Sequence, residues 1–355
     1  MKPLAWLIRY CSSRRKEAPI LVCGSSVHQS STCEARTGIH LFRASLRRLL
    51  QWNVAVLIGF AGSAFGATGE TGRLYASPQE AVDALKAATA AGDTNALRKI
   101  FGPTAEDLLN PDRVQATNET KSFGEALMQT NSLRKVSDHQ IVLEVGDDLW
   151  PFPVPLVKTN GGWYFDTEAG KDELLTRRVG RNELSTIRAV RAYVDAQRDY
   201  ASIDRDGDEV LEYAQKLVSS PGQQDGLYWP PAYEGDESPL GPLVAYAQAE
   251  GYNPEQREGE EEAERGPYHG YLFKILKRQA KHAPGGKYNY VINGHMIGGF
   301  ALVAWPAEYG DSGIMTFIVN QQGRVYQKDL GPKTAKIAGK MTEYDPDPTW
   351  KVCRD

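Results

Sequence analysis

The chain has 355 residues, of which 41% are hydrophobic and 24% are charged. This composition excludes wholesale disorder and leaves room for two ordinary domains. Nine of the 41 basic and two of the 45 acidic side chains lie in residues 1–67, so residues 68–355 hold 32 basic and 43 acidic side chains, a balance of −11. Because a polyanion would be repelled by this surplus, the sequence argues against a nucleic-acid partner.

Residues 1–67 carry the pattern of an export signal. Three arginines within residues 43–48 precede an apolar run over 54–60 and the small residues of GSAFGAT. Because this run is well short of the ~20 residues of a spanning helix, we expect a cleaved signal and no permanent membrane span. The sequence therefore predicts a periplasmic or secreted protein of a Gram-negative bacterium. Residues 1–40 lack the pattern, so translation could begin close to Leu41.

The cysteines fit an exported chain. Cys11, Cys23 and Cys33 all precede the expected cleavage, so the mature protein would retain only Cys353. A single cysteine cannot form an intramolecular disulfide. So close to the chain end, it is interpreted as a frayed surface thiol rather than a nucleophile.

Residues 70–170 are predicted to form a first α+β domain. Ser77 is a helix N-cap, Pro78 takes the first helical position and Glu80 completes a capping box. Further elements follow in chain order, with helices over 94–101 and 119–128 and strands over 140–145, 152–158 and 163–166. Helices followed by a small, curved antiparallel sheet indicate an α+β fold.

Residues 178–350 are predicted to form a second domain that begins with a long helix. Apolar side chains recur at three- and four-residue steps over 181–199, so one side of this helix must be covered. A short helix is expected near 211–214, followed by a stretch rich in proline, glycine and acidic residues over 219–266. An antiparallel sheet is then expected from strands at 271–275, 288–292, 300–305, 315–319 and 325–328.

The segment PLVKTNGGWYFDT resembles the strand pair that closes the curved sheet of nuclear-transport-factor-2-like folds. The resemblance covers residues 75–168 and implies a cone-shaped domain with a pocket for a small molecule. Some members of that fold are enzymes that use an Asp/His pair in the pocket. His139 is the only histidine in this region, and we interpret it as a solvated residue at a strand edge.

Two further strings resemble the bacterial family of proteins of unknown function DUF2950. They are RRVGRNELSTIRAVRAYVDAQRDYA and YNYVINGHMIGGFALVAWPAEYGDSGIMTFIVNQQGRVYQKDLG. The resemblance covers nearly all of residues 70–350 and implies an exported protein without an established activity. The second domain is also similar, in its order of long helix and strands, to pilin and pseudopilin headpieces. Its first helix is polar at the start, which departs from the hydrophobic helix of pilins.

The sequence DRDGD offers a candidate metal site. Asp204, Asp206 and Asp208 stand at alternate positions, as in calcium-binding loops, and the Val210 carbonyl and Glu212 could add further oxygen ligands. No cofactor other than calcium is expected from the sequence.

The DRDGD loop departs from a complete calcium loop at two positions. Glu209 stands where glycine normally allows a sharp turn, and Gln215 stands where a bidentate glutamate normally completes the coordination. The same residues are also explained by a turn that connects two elements and caps the next one.

Aromatic residues offer a candidate ligand groove. Tyr228, Trp229 and Tyr233 flank two prolines and could line a groove for a sugar or a peptide. The alternative is that these side chains cover the edge of a core.

Three other patterns are better explained by structure than by chemistry. Residues 310–313 read GDSG, like a serine-protease loop, but a hairpin turn explains them better because the accompanying protease motifs are missing. His269, His282 and His295 lack the paired spacing of a zinc site. The glutamate-rich run over 255–265 is expected to be solvated, although a cationic partner could bind it.

These patterns leave three classes of function. The leading hypothesis is an envelope protein that acts as a non-enzymatic binding or assembly module, with an unidentified envelope protein or small ligand as partner. The second is a hydrolase or isomerase that works in the pocket of the first domain. The third is a structural subunit of a secretion or pilus-like apparatus.

Overall fold

The computed structural model describes residues 72–233, 236–252 and 266–354, without the side chains of residues 107 and 108. Over these residues the predicted α+β class is confirmed, because helices and antiparallel sheets follow one another along the chain. The expected export signal lies outside the described residues, as does the glutamate-rich run over 255–265. Among the described helices, none has the length and apolarity needed to cross a bilayer.

Three α-helices open the described chain. Helix α1 spans Pro78–Ala90, and its capping box is present: the Ser77 hydroxyl accepts a hydrogen bond from the Glu80 N–H at 3.2 Å, and the Glu80 carboxylate accepts one from the Ala76 N–H at 3.0 Å. Helix α2 spans Thr94–Phe101, and a 3₁₀ turn covers Pro103–Leu108. Helix α3 spans Arg113–Gln129 and begins six residues before the predicted start, because Asp112 caps it.

A five-stranded antiparallel sheet follows these helices. Its main path runs β1-β2-β4-β5, and β3 pairs with β2. The strands are β1 (Asn131–Ser137), β2 (Gln140–Val145), β3 (Trp150–Pro151), β4 (Leu156–Thr159) and β5 (Gly162–Phe165). The edge strand β1 was not predicted, because its last four residues are exposed and its sequence lacks an apolar alternation. These helices and strands, residues 72–165, are called the N-terminal lobe.

Helix α4 spans Thr167–Tyr200, which makes it 34 residues long. The prediction placed its start at Arg181, so the helix is longer than expected and runs through the predicted domain boundary. Asp166 provides the true N-cap, since its carboxylate accepts a hydrogen bond from the Ala169 N–H at 3.2 Å. Gly170 allows the helix to pack closely against Val154, because a Cβ at this position would lie 2.8 Å from the Cα of Val154.

The chain after α4, residues 201–354, is called the C-terminal lobe. Its main sheet has the antiparallel order β14-β13-β12-β11-β6, with short pairs β7-β8 and β9-β10 beside it. The strands are β6 (Tyr271–Leu276), β7 (Arg278–Gln279), β8 (Tyr288–Asn289), β9 (Val291–Ile292), β10 (His295–Met296), β11 (Ala301–Pro306), β12 (Met315–Asn320), β13 (Tyr326–Asp329) and β14 (Lys351–Val352). The helices are α5 (Gly241–Ala249) and α6 (Thr334–Gly339), and a 3₁₀ turn covers Gly331–Lys333.

The predicted short helix at 211–214 is wrong. The segment forms no helix because its backbone groups bond to other parts of the chain: the Tyr213 N–H donates to the Met296 carbonyl at 2.9 Å, and the Ala214 N–H donates to the Gln197 side chain at 2.9 Å. The fully buried Gln197 amide also donates to the Ala214 carbonyl at 2.8 Å. The Gln197 amide therefore satisfies both backbone groups of Ala214 without a helix.

Two hydrophobic cores hold the described residues together. The first lies between α1 to α3 and the five-stranded sheet, where Leu85, Leu127, Leu143 and Leu156 are fully buried. The second lies around the main sheet of the C-terminal lobe and includes the second half of α4, from Val190 onward. Both cores fall within one compact unit, residues 71–355.

Candidate functional site

The DRDGD loop follows directly after α4 and curls around Asp204. The Asp204 carboxylate accepts hydrogen bonds from the Gly207 N–H at 2.8 Å and the Glu209 N–H at 2.9 Å. These bonds hold the pKa of Asp204 below its ordinary value, with the Glu209 N–H as the largest cause. The carboxylate therefore remains ionised at neutral pH and is available as a hard oxygen ligand.

Glu209 occupies the position where a calcium loop normally has glycine, and its backbone is left-handed, with φ at 67°. This is the conformation that favours glycine, so the loop makes the sharp turn despite the side chain. Gly207, with φ at 77°, supplies a second left-handed residue in the same loop. The sequence mismatch at this position thus does not change the course of the backbone.

The three aspartates come together in space. One carboxylate oxygen from each of Asp204, Asp206 and Asp208 lies within 4.8 Å of the others, and Asp206 and Asp208 are exposed to solvent. In the parts of the chain that the structure describes, this is the one group of three acidic, histidine or cysteine side chains so close together. The loop can therefore present three carboxylates to one divalent cation.

Glu212, predicted as a further ligand, and Gln215, which stands where a closing glutamate is missing, both bond to another part of the chain. The Glu212 carboxylate accepts a hydrogen bond from the Met296 N–H at 3.0 Å and lies 3.5 Å from the His295 ring. The Gln215 amide donates to the Gly294 carbonyl at 2.6 Å. The structure thus groups the three aspartates and places Glu212 and Gln215 against the β9–β10 hairpin.

The three aromatic residues predicted to line a groove do not share one surface. Tyr228 and Trp229 are 6% and 5% exposed and belong to the second core, whereas Tyr233 is 70% exposed. The Trp229 indole N–H donates to Asp236 at 2.9 Å, and the guanidinium of Arg205 lies over the Trp229 ring at 5.1 Å. Trp229 therefore anchors the DRDGD loop to the core through Arg205.

The histidines and the GDSG sequence lie in structural contacts. His269, His282 and His295 each lie beside a different carboxylate, with closest distances of 3.0 Å to Glu250, 2.9 Å to Asp345 and 3.3 Å to Asp208. Ser312 is fully buried, and its hydroxyl donates to the Glu308 carbonyl at 3.0 Å. In this arrangement the Ser312 hydroxyl closes a turn. A second hydrogen bond, from the Gly310 N–H to the Gly313 carbonyl at 2.9 Å, spans the same turn.

A buried polar junction between the two lobes was missed by sequence reasoning. Asn182, at 0% exposure, donates to the Ser312 carbonyl at 2.8 Å and accepts from the Gln115 amide at 2.9 Å. Arg178, in the same helix and also buried, pairs with Asp311. Helix α4 thus connects an α3 side chain to the turn before β12.

Asp112 extends this junction. Its carboxylate caps α3 by accepting from the Gln115 N–H at 3.1 Å, and it accepts from the Tyr252 hydroxyl at 2.7 Å and the Gly270 N–H at 3.2 Å. Burial and this hydrogen bond raise the pKa of Tyr252 well above its ordinary value, so the phenol stays a donor. No local sequence signal marked this junction, because Asn182 lies outside the apolar repeat of α4 and its partners Ser312 and Gln115 are distant along the chain.

Comparison with known proteins adds a family to this description. No curated protein and no solved structure matches the chain, so the resemblances to nuclear-transport-factor-2-like and pilin-like folds stay predictions. A family model described as a protein of unknown function, DUF2950, matches residues 72–353. The match covers both lobes and the helix between them, and it confirms the resemblance carried by the α4 and β-sheet sequences. The chain belongs to the DUF2950 family.

Proposed function

We propose that this protein is exported to the periplasm or the cell exterior and acts there as a non-enzymatic binding or assembly module with a calcium-binding loop. The observation that carries the proposal is the meeting of the Asp204, Asp206 and Asp208 carboxylates within 4.8 Å of one another. An exported protein meets calcium at concentrations that weak sites can use, with Kd of about 10⁻⁴ to 10⁻³ M.

The buried polar groups of the described residues support a binding role over a catalytic one. Asp112, Arg178 and Asn182 are each committed to contacts that join the two lobes. A general acid or base must instead present its group to a substrate. The same groups give the molecule a rigid frame from which an exposed loop can bind.

Calcium titration tests the loop. We expect heat on titration and a rise in melting temperature in millimolar calcium, because a ligand that binds only the folded state stabilises it. Asp206→Asn with Asp208→Asn should abolish both signals. Asp172→Asn, which removes one exposed carboxylate from α4, is the control and should retain them. Equal heats for the double variant and the parent would contradict the site.

Cell fractionation tests the compartment. Expression of the whole chain in a Gram-negative host should give a periplasmic or secreted product whose N-terminal sequence begins close to Thr68, because signal peptidase cuts after small residues. The control is a chain in which the apolar run over 54–60 carries two added aspartates. A cytosolic product with an intact Met1 would contradict export.

A further inference from the structure

The DRDGD loop and the residues after it are in direct contact with the β9–β10 hairpin. His295 of the hairpin lies 3.3 Å from Asp208 and 3.5 Å from Glu212, and the Tyr213 N–H donates to the Met296 carbonyl at 2.9 Å. The Asn293–Gly294 turn, with both φ values positive, forms the tip of the hairpin, and its Gly294 carbonyl accepts a hydrogen bond from the Gln215 amide at 2.6 Å. We call residues 203–212 and 291–297 together the acidic–aliphatic surface.

Large aliphatic side chains are exposed on this surface. Ile203 is 54% exposed, Leu211 57%, Ile292 46% and Ile297 45%. These are four of the fifteen exposed large apolar side chains among the described residues, although the two segments hold only seventeen residues. Single exposed apolar residues are common, but a concentration of them marks an interaction surface.

The charge of the surface is one-sided. The two segments hold five carboxylates, and their two basic side chains are Arg205 and His295. Arg205 is directed towards the core, over the rings of Tyr200 and Trp229 at 4.9 and 5.1 Å. His295 lies against the carboxylates of the surface itself. The exposed aliphatic groups thus share these two segments with a surplus of carboxylates.

This combination selects one kind of occupant. A bilayer with anionic headgroups would be repelled by the carboxylates, and an acidic protein would be repelled in the same way. A protein segment that carries lysine or arginine among aliphatic residues can cover the apolar groups and pair with the carboxylates. Charge complementarity therefore points to a basic, amphipathic protein segment.

From these contacts we infer that the acidic–aliphatic surface is a docking site for a basic amphipathic segment of a partner protein. The inference rests on the proposed binding role and adds the chemistry of the partner. The aliphatic side chains provide the anchors, and the carboxylates provide orientation and a fast, salt-dependent encounter. Raising the salt concentration weakens the carboxylate contribution and leaves the apolar contribution in place.

A defined peptide tests the inference. A short, fluorescently labelled peptide of alternating leucine and lysine is titrated with the purified full-length chain, and anisotropy is recorded. Peptides of lysine and serine, and of leucine and glutamate, are the ligand controls. EDTA is present throughout, so that the result does not depend on calcium and stays separate from the test of the metal loop. We expect the leucine–lysine peptide to bind at least about tenfold more tightly than either control.

Paired variants locate the binding. Ile292→Ser with Ile297→Ser should weaken the leucine–lysine peptide about tenfold, because two anchors are lost. Glu209→Lys should weaken it at low salt and less at high salt. Leu184→Ser with Ile337→Ser removes two exposed aliphatic groups elsewhere and is the control for the anchors. Asp172→Lys is the control for the charge. Neither control should change the affinity for the leucine–lysine peptide. Melting curves check that all variants fold.

Three results would overturn the inference. The first is equal binding of the leucine–lysine peptide to the parent and to the Ile292/Ile297 variant. The second is binding to vesicles with anionic lipid that the same variant abolishes, which would assign the surface to a membrane. The third is self-association of the parent, dispersed by that variant in sedimentation, which would assign it to a second copy of the chain. Any of these could occur while calcium binding and export still hold, so the broader function would stand.

Discussion

The two lobes bury their apolar residues differently. Among the described residues, the first core contains thirteen buried apolar residues and the second contains thirty. The central strand β11 is buried along all six residues, whereas four of the seven residues of the edge strand β1 are exposed. Buried residues alternate with partly buried ones in β5 and at the end of β2, so the N-terminal sheet is covered on one face, whereas the main C-terminal sheet is covered on both faces at its centre. Most of the free energy of folding should thus reside in the C-terminal lobe.

Matched core truncations should expose this difference most strongly. Phe317→Ala, at a fully buried position next to Tyr271, should lower the free energy of unfolding by about 5 kcal/mol. Phe165→Ala should cost about 3 kcal/mol, because its ring neighbours Phe101 and Phe152 are only partly buried and can relax into the space. Denaturant unfolding followed by tryptophan fluorescence measures both.

Met128→Ala is the control for these truncations. The side chain is 58% exposed, so the change should stay within about 0.5 kcal/mol of the parent. A larger cost for Phe165→Ala than for Phe317→Ala would break the contrast between the cores.

A glycine pair tests the junction that links the lobes. Gly270 has φ at 73°, and a Cβ there would lie 2.8 Å from both the Asn182 amide nitrogen and the Cβ of Ser312. Gly286 has φ at 75° with nothing within 4 Å of a Cβ. Gly286→Ala should therefore cost about 1 kcal/mol for its backbone alone, and Gly270→Ala about 2 to 3 kcal/mol. Thermal unfolding measures the midpoint of each variant. Equal midpoints for Gly270→Ala and Gly286→Ala, each with a single transition, would mean that the junction tolerates the added methyl group.

Alkaline pH should weaken the second core at Tyr200 and give the smallest of the three effects. Burial raises the pKa of Tyr200 to about 12 from an ordinary value of 10.0, and its hydroxyl donates to the Gln224 carbonyl at 2.8 Å. Folding thus favours the protonated phenol, so the stability it contributes is complete below pH 10 and is lost as the pH rises towards 12. Tyr200→Phe should cost about 1 kcal/mol at neutral pH for the lost hydrogen bond.

The pH dependence separates this effect from simple packing. The difference in melting temperature between the parent and Tyr200→Phe should shrink as the pH rises from 10 to 12, because the parent then loses the contribution that the variant lacks. Tyr233→Phe, at a side chain that is 70% exposed, is the control for removal of a phenol. A difference that is constant with pH would contradict the role assigned to the Tyr200 proton.

Sequence patterns predicted the elements whose signals are local. Helix α2 and strand β2 have the predicted bounds, because a glycine ends the first and an apolar run defines the second. The fold class and the family were also predicted. Helix α5 was missed inside a stretch read as irregular, since its short apolar sequence GPLVAYAQA follows several prolines and glycines.

The candidate site was only partly predictable, because its geometry depends on distant partners. The meeting of Asp204, Asp206 and Asp208 follows from local spacing, and the structure brings them together. Glu212 follows the same spacing but bonds to Met296, which lies 84 positions further along. Similarly, the sequence left Trp229 open between a ligand groove and the edge of a core, because it gives no sign that Asp236 and Arg205 will hold this side chain in the core.

The continuity of helix α4 constrains how this protein can change. Inserting one residue between Gly170 and Arg178 would advance the following turns by about 1.5 Å and rotate them by about 100°. Arg178 and Asn182 would then face away from Asp311 and Gln115, and the apolar side of the helix would leave the main sheet. Insertions and deletions should therefore be tolerated in the surface loops but should disrupt the fold along this segment. The fixed length of the helix here keeps its contacts with the N-terminal lobe and with the C-terminal lobe in register.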